Sequence, residues 1–144
     1  MGIDLVTPRR SRVKCYLHLS SNAFGAVRDC MTLGGRLDGP VSRKRMELLE
    51  SIWPLLVNDP VVLTTGDETR TTTERAPGNG FSGLMCVAEV SVGQEIPDTK
   101  LYVPLFQYND SAIEAERNFE LVLQKLGMEW GLNGKYSSTM ASIL

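Results

Sequence analysis

Hydrophobic and polar positions alternate over residues 13–19, VKCYLHL. Val13, Cys15, Leu17 and Leu19 fall on one side and Lys14, Tyr16 and His18 on the other, the period of a half-buried strand. The period then lengthens. Phe24, Val27 and Met31 recur at helical spacing after the cap-forming Ser20, Ser21 and Asn22, and Gly34–Gly35 suits a left-handed stop, so a helix is predicted over 22–33. A Gly-Pro step at 39–40 opens a second helix. Its stripe is Met46, Leu49, Trp53 and Leu56, and Pro54, which lacks a backbone donor, is expected to end the helix near Ile52 or bend it there.

Beyond that helix the pattern turns extended. Residues 60–65, PVVLTT, form a short β-branched run and a candidate strand. The polar stretch 64–83 that follows is rich in threonine and glycine and reads as a connection, with a possible exposed ribbon over 69–75 and a turn at 76–80. Residues 84–92, LMCVAEVSV, and 100–108, KLYVPLFQY, predict two strands joined by GQEIPD into an antiparallel pair, with Pro104 favouring an edge or bulge. Ser111 and Glu114 match a reciprocal capping pattern, with Asp110 an alternative cap. Ala115, Phe119, Val122, Leu123 and Leu126 then mark the buried face of a last helix that Gly127 closes. The order is β-α-α-β-(β)-β-β-α. It predicts a two-layer α+β domain, a mostly antiparallel sheet with helices on one face, over 12–130, between a flexible basic arm at 1–11 and a flexible tail at 131–144.

With 144 residues and 42% apolar content the chain is long enough to bury its own core without a disulfide or metal scaffold. A formal net charge of −2 argues against a binder driven by bulk positive charge. The cations are nonetheless clustered, at Arg9, Arg10, Arg12 and Lys14 and again at Arg43, Lys44 and Arg45, whereas acids gather at Glu114, Glu116, Glu120 and Glu129. No apolar run approaches the length of a membrane span, and the opening residues lack the features of a secretory leader, which leads to an expectation of a cytoplasmic location, or a virion if the protein is virus-encoded.

The chemistry-bearing residues are sparse. One histidine and three widely spaced cysteines, Cys15, Cys30 and Cys86, form no ligand-spaced set, so neither a metal nor another cofactor is expected. Cys15 and Cys86 read as core thiols. A nucleophilic site needs a thiol beside a base, and His18, Cys30 and Asp29 are the available trio. Paired carboxylates, Glu116 with Glu120, or Asp67 and Glu68 with Glu89, are the alternative basis for a small hydrolase. Glycines 78, 80 and 83 do not fit a phosphate-binding fingerprint, because an apolar β run follows them where a helix is required.

The basic clusters suit a polyanion. Arg9, Arg10, Arg12, Lys14 and Tyr16, with Arg43, Lys44 and Arg45, are candidate contacts to single-stranded nucleic acid, the tyrosine by stacking. Trp53, Tyr102, Phe106, Tyr108 and Trp130 are candidate anchors of a protein interface. Taken together these features favour a non-enzymatic assembly or accessory protein that pairs with itself as a homodimer and with another protein. Single-stranded nucleic-acid binding and a small hydrolase stand as the alternatives.

Overall fold

The computed structural model describes residues 2–4, 11–58 and 82–142. Four strands form one antiparallel sheet: β1 (Gly2–Asp4), β2 (Arg12–His18), β3 (Met85–Ser91) and β4 (Asp98–Tyr102), adjacent in that order. Between β2 and β3 run α1 (Phe24–Met31) and α2 (Pro40–Leu56); after β4 come α3 (Leu105–Tyr108), α4 (Ala112–Lys125), a 3-10 segment (Glu129–Gly134) and α5 (Lys135–Ala141). The fold is α+β, with helices packed on one face of the antiparallel sheet. The candidate strand 60–65 and ribbon 69–75 lie outside the described residues.

Register fixes the two faces of the sheet. Leu17 pairs with Cys86 and Cys86 with Leu101; Cys15 pairs with Ala88 and Ala88 with Thr99. Because successive residues alternate, these form one face and their neighbours in sequence the other. The first face meets α1: Cys86 Sγ lies 3.7 Å from Met31 Sδ, and the Thr99 hydroxyl donates to the Met31 carbonyl at 2.9 Å. Phe24, Val27 and Met31 of α1, Met46, Ile52, Trp53 and Leu56 of α2, Leu84, Cys86, Tyr108 and Val122 make the core. Each such side chain contributes roughly 1.5–3 kcal/mol on full burial. The Trp53 indole N–H donates to the Asn22 carbonyl at 3.2 Å, and its ring stands 5.8 Å from that of Phe24.

Five expectations change. Residues 2–4, assigned to the arm, pair with β2 at Gly2↔Lys14, Ile3↔Val13 and Asp4↔Arg12. Of the two outcomes expected at Pro54, an end near Ile52 or a bend, the end does not occur: the second helix continues through Pro54 to Leu56, because buried Trp53 and Leu56 on its last turn offset one lost backbone bond. The predicted strand 100–108 stops at Tyr102. Pro104 has no N–H to give a ladder, and Leu105–Tyr108 coils into α3 instead. The apolar stripe of β2 is not core: Val13, Cys15 and Leu17 are exposed, and Leu19 alone of that set is buried. The reason is placement, since α1 packs over β3 and β4.

The fifth change is at the tail. Aperiodic in sequence, it is drawn onto α4, where Phe119 and Tyr136 meet edge to face at 5.2 Å and the Ser137 hydroxyl donates to Glu120 at 2.8 Å. Gly131 permits that approach: a Cβ there would stand 2.4 Å from the Gln124 backbone nitrogen. The capping pattern of α4 is as expected, with the Glu114 N–H donating to Ser111 Oγ at 3.1 Å, while the Glu114 carboxylate accepts from the Asp110 N–H at 2.6 Å.

Candidate functional site

The face of the sheet away from α1 carries the chemistry. Its residues follow from register, in rows across the strands. Arg12 stands opposite Ser91; Lys14 opposite Glu89, which is opposite Asp98; Tyr16 opposite Val87, which is opposite Lys100; and His18 opposite Met85, which is opposite Tyr102. Side chains directly opposite lie about 5 Å apart at Cβ and diagonal ones about 7–8 Å, within reach of long side chains. Three cations and two phenols, from β2 and β4, therefore share one surface with Glu89 of β3 and Asp98 of β4, and Asp4 of β1 is in register with Arg12.

Glu89 ties that surface together. It is 7% exposed, and its two oxygens take different partners: Arg12 Nη1 donates to Oε1 at 2.9 Å and Lys100 Nζ to Oε2 at 3.0 Å. Both partners are diagonal neighbours, one from β2 and one from β4. The Lys100 bond first and the Arg12 bond second hold the Glu89 carboxyl below the usual carboxylate range. Their side chains are 42% exposed for Arg12 and 52% for Lys100. Tyr16 and Tyr102 are also exposed, and the Tyr16 ring lies beside Gly2 of β1.

Below the sheet's end, Tyr108 is fully buried and its hydroxyl donates to the Ser82 carbonyl, while Ser82 Oγ donates to the Leu19 carbonyl at 2.7 Å. Burial pushes the Tyr108 phenol up to about 12. Gly83, at φ +74°, lies against Gln107 and Pro104 where a Cβ would collide. These contacts anchor β3 at the point where it enters the sheet.

The structure thus gathers Arg12, Lys14 and Tyr16 with Lys100, Tyr102 and Glu89. Arg9 and Arg10 lie outside the described residues. Arg43, Lys44 and Arg45 are exposed at the start of α2 and do not join the cluster; Arg45 lines a separate groove of about 680 Å³ with Met31, Met46, Ile96 and Thr99, on the helix-bearing side. Cys30 and Asp29 sit on α1, across the sheet from His18, so the nucleophilic trio does not assemble. Cys86 is a core thiol, pushed up to about 12 by burial and then by Cys30, whereas Cys15 is exposed. Glu116 and Glu120 belong to α4, away from this face, and Asp67 and Glu68 lie outside the described residues. Of the aromatic anchors, Trp53 and Tyr108 are buried in the core, while Tyr102, Phe106 and Trp130 are exposed. Among the described residues no three metal-ligating side chains converge. Sequence reasoning missed Lys100, and it weighed Glu89 only as one of several carboxylates. The available signal was a lone acid inside an apolar strand.

Residues 1–139 match the model of the tryptophan dimethylallyltransferase family. This chain belongs to that family. Among its relatives, the indole prenyltransferase tdiB of Emericella nidulans is 54% identical over 150 residues, covering 99% of this chain and 36% of the relative. The indole diterpene prenyltransferase terF of Tolypocladium album is 35% identical, covering 94% and 31%. The O-glucose prenyltransferase PaPT of Phomopsis amygdali is 36% identical, covering 90% and 28%. The chain spans about a third of the length of these relatives. Membership overturns the expectation of a non-enzymatic assembly protein and, with it, RNA binding and a viral origin: the relatives are fungal group-transfer enzymes. The names of the relatives likewise give the hydrolase alternative no support. Exposed cations and aromatics on a sheet suit a polyanionic small molecule as well as a nucleic acid, so the cluster alone does not separate the two.

Proposed function

We propose that this chain supplies the diphosphate-holding face of an enzyme that transfers a prenyl group from an allylic diphosphate to an aromatic acceptor of the indole class. A dimethylallyl group becomes transferable when its allylic carbon carries a group able to leave with the bonding electrons, and diphosphate is such a group. As the C–O bond breaks, negative charge gathers on the departing oxygen and positive charge on the allyl fragment. A nucleophilic indole carbon takes the fragment, forming a C–C bond, and later loses a proton. Fixed donors aimed at the developing oxyanion lower that barrier.

One observation carries the reading: Arg12, Lys14 and Lys100 stand on one exposed face with the hydroxyl-bearing Tyr16 and Tyr102. Guanidinium and ammonium groups are the usual phosphate partners, and phenols add neutral donors. The names of the relatives support the donor side more than the acceptor side, since they share prenyl transfer while the acceptors they name range from indoles to a glucose oxygen.

The test is steady-state transfer from dimethylallyl diphosphate to tryptophan or another indole. Arg12→Gln and Lys100→Gln, each removing one charge while keeping a polar side chain, are expected to reduce kcat/KM by about 10²-fold. Full activity in both variants contradicts the assignment.

A further inference from the structure

Glu89 has no direct part in the chemistry above, and an acid on this face looks misplaced, because it repels the anion the face is built to hold. Its surroundings supply a reason. Strand β3, MCVAEVS, contains a single charge, and that charge is 7% exposed. A carboxylate so placed is costly unless both oxygens are paired. Both are, and each goes to a different neighbouring strand: Arg12 on β2 and Lys100 on β4. The Glu89 side chain is 9% exposed, whereas those of Arg12 and Lys100 are 42% and 52% exposed. Lys14 directly opposite on β2, Asp98 directly opposite on β4 and Asp4, in register with Arg12 on β1, add to the charged surroundings.

We propose that Glu89 is a positioning residue: from beneath the cationic face it fixes the Arg12 guanidinium and the Lys100 ammonium in place, so that both grip the diphosphate together. The proposal rests on the diphosphate reading above. Long basic side chains lose rotamer freedom when they bind, and a carboxylate that orders them beforehand removes part of that cost. The same tether sets where the two charges stand when the leaving group departs. This is the role that outer carboxylates play behind the ligands of metal sites, where their loss weakens the site without removing it.

The experiment titrates inorganic diphosphate into the wild-type protein, Arg12→Gln, Glu89→Gln and Glu89→Asp, and follows dimethylallyl transfer in the same four. Glu89→Gln keeps the shape but loses the charge, and diphosphate affinity is expected to fall about tenfold. Glu89→Asp keeps the charge but draws both cationic ends down by one methylene, so KM for the prenyl diphosphate stays within about threefold while kcat falls about tenfold. That split separates positioning from a merely structural ion pair. Should Glu89→Gln fail to fold, the Glu89→Asp split alone decides. Unchanged or tighter diphosphate binding in folded Glu89→Gln, or an unchanged kcat in Glu89→Asp, overturns the proposal while leaving the diphosphate reading intact, provided Arg12→Gln has lost affinity. Absence of diphosphate binding in the wild type, or equal binding in Arg12→Gln, removes the reading itself and the role of Glu89 with it.

Discussion

Single residues in this chain are set by what surrounds them more than by their type. Tyr108 and Tyr102 are six positions apart and both were anchor candidates, yet one is sealed in the core and the other stands on the open face. For Tyr108, burial raises the phenol to about 12, from about 10 for a free tyrosine. A raised folded value means that the unfolded chain ionises first. The stabilisation is therefore complete below pH about 10 and is lost as pH rises toward about 12. Tyr108→Phe is expected to lose about 1 kcal/mol at neutral pH with its bond to Ser82 and to flatten the decline across that alkaline window. Denaturant titrations at stepped pH check this, and an unchanged alkaline slope in the variant contradicts it. At the same scale, the alternation over 13–19 made Lys14, Tyr16 and His18 legible as one face, because a strand's period is local. That Glu89 and Lys100 share this face was not legible, because it depends on register between strands separated by more than 60 residues.

At the scale of elements, caps and periods identified what is local and missed what is tertiary. The last helix begins at Ala112 behind its Ser111 cap, since a cap is decided within four residues. The second helix ran through Pro54, and the strand before Pro104 broke early, because burial decides the first case and the missing N–H the second. Tail docking had no signature beyond a glycine. Gly131 touches the backbone of α4, whose atoms cannot move aside, so Gly131→Ala is expected to lift residues 129–141 from α4 at a cost of about 1–3 kcal/mol. Hydrogen exchange should then show Lys135–Ala141 losing protection well before α4 does. Equal protection in the variant and the parent would mean that the contact contributes nothing.

For the whole molecule, the sheet divides two tasks. One face is committed to α1 and the core, and the other keeps its cations, phenols and one buried acid. The fold class could be read from hydrophobic period because the apolar set of β3 and the helix stripes are strong. Function could not, since no contiguous motif encodes a surface assembled from three strands, and the proposed reaction rests on the family match as well as on that surface. If the proposal holds, the leaving group has one place. Diffraction from crystals soaked with a thio-substituted, slowly reacting dimethylallyl diphosphate tests this most directly. The phosphorus density should lie against Arg12, Lys14 and Lys100, with Tyr16 and Tyr102 at its border. Density instead in the groove lined by Arg45, Met46 and Ile96, with the β-sheet cations still facing solvent, would contradict it.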